Sequence, residues 1–280
     1  MTRQPASKIV LLGTGTPNAD PERSGPSVAI VVDQTPYLID MGPGVVRRAA
    51  AAHLAGVAGL EASNLSRVFV THLHSDHTVG YPDVIFTPWV LGREAPLEVY
   101  GPKGIQAMTE HILAAYEQDI EERTRGLEPA NMTGYEVRVH EVSPGVVYQD
   151  HHVSVEAFRV NHGGWEAFGF KFYAPDRTIV VSGDTAPFDG QVEAYGTCDV
   201  LIHEVYSGVG LKQRRADWQT YHSSVHTSAR ELAELATSLQ PKLLILYHQL
   251  FNDVTEHELV MEVKSRYTGR VVSGKDLEVF

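Results

Sequence analysis

The chain has one cysteine, Cys198, so no internal disulfide can form, and its place in the strand-like stretch CDVLIH reads as a buried, inert thiol. It has no apolar run approaching the roughly 20 residues that span a bilayer. The opening MTRQPASKIVLLGTG passes from a short polar lead into strand-like sequence without a signal-peptide cleavage pattern. The expected location is therefore the cytoplasm, with no membrane partner. Basic residues are scarce: 23 Lys+Arg face 35 Asp+Glu, and the formal net charge of −12 opposes a broad attraction to nucleic acid or anionic lipid. No duplicated motif and no low-complexity linker interrupts the chain. What remains, 280 residues with 43% hydrophobic content, is enough for a sizeable core, and a single domain over residues 1–280 is expected.

The order of elements points to an α/β fold. KIVLLGTG, VAIVVD and PYLIDMG read as a β-meander punctuated by Gly and Pro. The Ala-rich stretch Val45 to Leu60 then carries good helix formers, with Gly56 and Gly59 weakening its end. SRVFVTH is a buried strand, LEVYG another, and GIQAMTEHILAAYEQDIEERT has the apolar spacing of one amphipathic helix. The second half repeats this rhythm with YEVRVHEV, HHVSVEAFRVNH, FGFKFYA, TIVVSGDT, CDVLIHEVY and KLLILYH as strands, and a helix from Ser228 to Ser238. Strands dominate early in each half and helices follow, a pattern that suits two packed sheets with helices outside.

The densest chemistry lies in VTHLHSDHTVG, directly after a buried strand. His72 and His74 alternate and so point to one side of an extended segment, while Asp76 and His77 come from the turn that follows. Imidazole nitrogen and carboxylate oxygen suit zinc, with iron or manganese as alternatives, and two adjacent ions can activate a water and polarise a scissile group. Matching groups recur at three later strand ends: His162 after AFRVN, Asp184 after VVSG and His248 after LLILY. Each follows an apolar run and can converge on one rim.

This ordered set, HxHxDH, then His, Asp and His, resembles the metallo-β-lactamase-fold superfamily from Lys8 nearly to the C-terminus. The resemblance implies an αβ/βα four-layer sandwich and two zinc ions per chain. It assigns His72, His74 and His162 to one ion, Asp76, His77 and His248 to the other, and Asp184 as the bridge. Asp76 is also placed to orient or deprotonate the attacking water.

LIHEVY and YHSSVHTSARELAELA narrow the branch. Glu204 and His226 resemble the glutamate–histidine pair of the ribonuclease Z and arylsulfatase-like branch, in which a carboxylate orients an imidazole that serves a leaving oxygen or an oxyanion. His222 is a second pocket candidate. Three features argue against ribonuclease Z itself. The stretch from His162 to Asp184 is too short for a tRNA-binding arm, Gly42-Pro43-Gly44-Val45-Val46-Arg47-Arg48 replaces the expected Glu-Gly-Thr-Gln motif, and the net charge is acidic. The expected activity is hydrolysis of small phosphodiesters or aryl sulfate esters, with a small anionic or aromatic ester as partner and nucleic acid disfavoured. A lactonase or β-lactamase activity on cyclic acyl substrates is the first alternative, and ribonuclease Z-like tRNA 3′ processing the second. The same resemblance implies a homodimer.

Phe86, Pro88, Trp89 and Leu91 are candidates for an apolar wall beside the metal loop. Trp165, freed by Gly163-Gly164, is a candidate for the mouth, and Arg93 for an anion contact. His53, His111, His140, His151, His152 and His257 read as surface or structural residues. His203 should face away from Glu204, because adjacent strand residues do.

Overall fold

The computed structural model describes residues 7–280; the polar lead MTRQPA, on which the reading of no signal peptide rests, lies outside the described residues. The chain divides into two compact units: residues 7–13 of the described chain, Pro17–Val142 and Asp276–Phe280 form one, and Thr14–Thr16 with Ser143–Lys275 the other. Among the described residues no helix is long and apolar enough to cross a membrane.

In the first unit β1 (Ser7–Gly13), β2 (Ser27–Val32) and β3 (Thr35–Ile39) make the expected antiparallel meander. Helix α1 (Val45–Leu54) follows, and stops short of Leu60 because Gly56 and Gly59 turn at φ of +97° and +98°. β4 (Arg67–Phe69), the one-turn α2 (Ser75–Thr78), α3 (Tyr81–Val90) and β5 (Leu97–Gly101) come next. The single amphipathic helix expected after β5 is two helices, α4 (Ile105–Ala115) and α5 (Glu117–Arg125), broken where Tyr116 takes φ −104° and ψ 15°. β6 (Val137–Glu141) pairs in parallel with β5. This strand, read from sequence as the start of the second half, is the edge of the first sheet, whose order is β1-β2-β3-β4-β5-β6. Val10, Leu12, Leu38, Val68 and Val70 pack with Val45 and Ala49 of α1 and with Tyr81, Val84 and Trp89 of α3 in one apolar cluster. Each large side chain buried there contributes about 1.5–3 kcal/mol.

The second unit opens with β7 (Gly145–Gln149), β8 (Ser154–Arg159), β9 (Phe168–Tyr173) and β10 (Thr178–Val181), all antiparallel. After α6 (Gln191–Tyr195), β11 (Val200–Tyr206) pairs in parallel with β10. α7 (Gly208–Leu211), α8 (Ala216–Val225) and α9 (Ala229–Leu239) then lead to β12 (Leu243–Leu250), and α10 (Glu256–Lys264) to β13 (Val271–Ser273). The sheet order is β13-β12-β11-β10-β9-β8-β7. Every residue of β11 and β12 is buried, as suits parallel strands covered on both faces. Helix α9 starts where expected because Ser228 and Glu231 form a reciprocal capping box. Each unit is thus a mixed sheet with its own helices, antiparallel strands first and parallel strands after, which is the expected α/β class. Cys198 is buried, and burial pushes its thiol up to about 11, the inert state expected.

Candidate metal and hydrolytic site

The first group of candidate ligands belongs to the loop after β4. Its shape is held by a residue that sequence reasoning missed, Asp40, which follows β3 at φ +62°. The buried Asp40 carboxylate accepts from the Thr71 amide (2.7 Å), the Thr71 hydroxyl (2.9 Å) and His77 Nδ1 (2.8 Å). The backbone adds two bonds of 2.8 Å, from Met41 N to His77 O and from Gly80 N to Met41 O. Gly80 has to be glycine for this approach, since a Cβ there would lie 2.5 Å from Gly42 O. The only trace of Asp40 in the sequence is an Asp at a strand end in LIDMG, one of many such residues.

These bonds fix the imidazole tautomers. His77 Nδ1 faces a carboxylate and therefore carries the proton, leaving a lone pair on Nε2. Thr71 Oγ1 donates to Asp40, so it accepts from His72 Nδ1 at 3.0 Å, and His72 likewise presents an Nε2 lone pair. That Nε2 lies 3.0 Å from His74 Nδ1, near enough for the two nitrogens to share one ion. Asp76 Oδ2 sits 3.5 Å from His77 Nε2. All four predicted ligands of the loop are brought together, and their outer hydrogen bonds are of the kind that metal-ligating histidines make.

The second group is built from five strand ends and loops. His162 follows β8, and its Nδ1 donates to Val225 O at 2.9 Å, which again leaves the lone pair on Nε2. Asp184 follows β10 across Gly183, which takes φ +63°. Glu204 lies within β11 and is fully buried. His226 caps the C-terminus of α8. His248 is the extra residue of a bulge in β12: Glu204 pairs with Tyr247 and Val205 with Gln249, and His248, left between them, takes φ +43°. His248 Nε2 lies 3.6 Å from Asp184 Oδ2. His162, Asp184 and His226 each place a donor atom within 4.8 Å of the others, and so do Glu204, His226 and His248.

Glu204 Oε1 accepts from the amides of Thr227 (2.7 Å) and Thr185 (3.3 Å), while Oε2 lies 3.4 Å from His226 Nδ1. That last distance is longer than a well-formed hydrogen bond, and Asp184 Oδ2 is 3.8 Å from the same nitrogen. The ring of His226 is therefore flanked by two carboxylates. Burial and the charge of Asp184 hold the Glu204 carboxyl well above its ordinary range, against the opposite pull of His248 and the two threonine amides.

The remaining candidates fare unevenly. Arg93 is not at the surface. It is buried, and its guanidinium donates to the carbonyls of Leu65 (2.7 Å), Val84 (2.9 Å), Ile85 (2.7 Å) and Gly134 (2.8 Å), tying the middle of α3 to two loops. The proposed apolar wall is largely core: Phe86 and Trp89 are buried in the first unit, Trp89 Nε1 donates to Asn131 O, and only Leu91 is well exposed. Trp165 is 47% exposed on the turn after His162. His203 turns away from Glu204 as expected, with Nε2 3.1 Å from the Tyr195 hydroxyl, and burial lowers it to about 4. His140 is a structural residue that meets Glu98 at 2.8 Å.

The model of the beta-lactamase superfamily domain matches residues 35–249, and the chain belongs to that superfamily. Within it the chain falls in the ribonuclease Z-like branch: it is 32% identical over 281 residues to a protein named ribonuclease Z from Mycobacterium bovis, covering 96% of both chains. Two solved structures share its fold. A metallo-β-lactamase fold protein of Bacillus subtilis matches with a TM-score of 0.74 at 16% identity, covering 98% of each chain. The short form of human tRNase Z matches with a TM-score of 0.71 at 22% identity, again over 98% of each. The chain is a hydrolase of the metallo-β-lactamase fold, with the histidine and aspartate clusters with which such proteins bind metal ions.

Because 281 aligned positions take in 96% of both chains, the M. bovis relative leaves no room for a long inserted arm either. The short stretch between His162 and Asp184 does not separate this chain from a relative named ribonuclease Z, and the expectation that nucleic acid is disfavoured as a partner conflicts with that likeness.

Proposed function

We propose that this chain is a metal-dependent phosphodiester hydrolase in which the two units act as one domain. The observation that carries the reading is the buried Glu204–His226 pair at the rim of β11 beside Asp184, a proton donor set next to candidate metal ligands. His72, His74 and His162 would hold one ion, Asp76, His77 and His248 a second, with Asp184 common to both, and the donor chemistry suits zinc. Such ions supply Lewis acidity and water of lowered pKa. The residues do the rest. Asp76 orients the attacking water and takes its proton. Glu204, held by the Thr185 and Thr227 amides, keeps the His226 ring in place. His226 gives a proton from Nε2 to the departing oxygen.

Among phosphodiesters, a precursor-RNA 3′ end is the first substrate to test, because relatives covering nearly the whole chain are named ribonuclease Z. Small aryl phosphodiesters and aryl sulfates fit the same proton transfer and come second. Assembly as a homodimer goes with the ribonuclease Z-like reading and is checked by light scattering.

The test is a rate panel on zinc-loaded protein with a precursor RNA, bis(p-nitrophenyl) phosphate, an aryl sulfate and a lactone. Phosphodiester cleavage should lead, vanish on chelation and return with zinc. H226A should cost about 10²–10⁴-fold on an alkoxide leaving group and far less on p-nitrophenolate, which needs no proton. Lactone opening that outruns phosphodiester cleavage and survives H226A would overturn the proposal.

A further inference from the structure

Helix α8 carries two aromatic side chains that are open to solvent. Trp218 and Tyr221 are 46% and 42% exposed. Their ring centroids are 5.8 Å apart, and Trp218 stacks on His222 at 5.5 Å and 25°. His222 in turn lies 5.5 Å from the buried His226 at 32°. A continuous line of rings therefore runs from solvent to the proton donor, all within the second unit. The rest of the helix surface is polar, with Gln219, Thr220, Ser223 and Ser224 beside the two rings, so an apolar protein partner is a poor match.

The segment that leads into this helix is KQRR. Lys212, Arg214 and Arg215 stand within four positions of a chain whose net charge is −12, and all three are exposed. Arg214 meets Asp253 at 3.5 Å and Arg215 meets Asp217 at 2.5 Å. Ion pairs so exposed contribute little and exchange readily for a phosphate.

We propose that α8 and the preceding KQRR segment form the nucleotide-recognition surface of this hydrolase: Trp218 and Tyr221 stack on unpaired bases next to the scissile phosphodiester, and Lys212, Arg214 and Arg215 hold the neighbouring backbone phosphates of a single strand. The inference rests on the phosphodiesterase reading and names its substrate class. Stacking on protein rings requires bases free of a duplex partner and works with any base. The net charge of −12 opposes binding of a strand that does not engage such a local basic segment.

The test uses the zinc-loaded full chain and a fluorescein-labelled single-stranded RNA hexamer, with affinity read by anisotropy and cleavage by KM and kcat. W218A and Y221A should each weaken binding and raise KM by roughly 5- to 150-fold, the range for loss of one stacked base. W218F should stay within about 3-fold of wild type. K212A/R214A should reduce the slope of log affinity against log salt by about 0.7 for each phosphate the variant no longer neutralises. Metal content and melting temperature confirm that each variant is folded. Unchanged affinity in folded W218A overturns the inference. So does a wild-type protein that cleaves bis(p-nitrophenyl) phosphate but neither binds nor cleaves the hexamer, in which case the phosphodiesterase reading stands alone. If no phosphodiester is cleaved, the proposed function falls and the anisotropy series still decides the role of α8.

Discussion

The candidate site residues of the first unit and those of the second are organised in opposite ways. His72, His74, Asp76 and His77 come from one loop, and a single distant residue, Asp40, fixes their shape by accepting three hydrogen bonds. His162, Asp184, Glu204, His226 and His248 come from five separate segments, each set by its own strand end, bulge or helix cap. The first arrangement concentrates dependence on one buried carboxylate. The second spreads it over the backbone of a sheet, in which Glu204 and His248 lie in strands that are buried along their whole length. The first should therefore fail all at once when its anchor is lost, and the second piecemeal.

The sharpest way to break this contrast is Asp40→Ala. Three buried donors lose one acceptor, so stability should fall by about 3–5 kcal/mol, and metal retention after dialysis should drop roughly 10- to 100-fold. Melting curves and metal analysis report the two effects, and unaltered metal content would dissolve the distinction between the two groups.

Arg93→Met sharpens it from outside the ligand set. The carbonyls of Leu65, Val84, Ile85 and Gly134 lose this donor, which should cost about 2–4 kcal/mol of stability while hydrolysis per folded molecule stays at the wild-type level. A specific rise in KM for anionic substrates would restore Arg93 as an anion contact.

The smallest effect concerns His203, which packs against Tyr195 in the second unit. Burial lowers it from 6.5 to about 4, so between those values the unfolded chain binds a proton that the folded chain does not. The stabilisation from its neutral ring is complete above about pH 6.5 and is lost as pH falls toward 4. The advantage of wild type over His203→Gln should accordingly narrow by about 3 kcal/mol across that window. Denaturant melts at pH 7.5 and pH 4.5 measure it, and a gap that does not change with pH would refute it.

Much of the site was legible because metal ligands leave local traces. HLHSDH is a contiguous signal, and His162, Asp184 and His248 each follow an apolar run that ends a strand. Glu204 and His226 were legible only through resemblance, since a glutamate in a strand and a histidine before a helix have many other uses. Arg93 was misread because a lone arginine is usually at the surface, and nothing local shows that four carbonyls converge on it. Phe86 and Trp89 were misread as a wall for a similar reason: the spacing of an apolar face does not say whether it meets a core or a pocket. The break at Tyr116 and the transfer of β6 to the first sheet depend on pairing partners far along the chain.

The residues by themselves determined the donor chemistry, the α/β order of elements and the superfamily, because ligand type, hydrophobic period and motif order are properties of short stretches. Only the tertiary structure decided which imidazole nitrogen carries the proton, that Asp40 governs the histidine loop, that a bulge turns out His248, and that α8 lays a line of rings from Trp218 to His226. Hydrogen-bond partners, bulges and ring contacts join residues far apart in the chain, and such distances exist only once the backbone has closed.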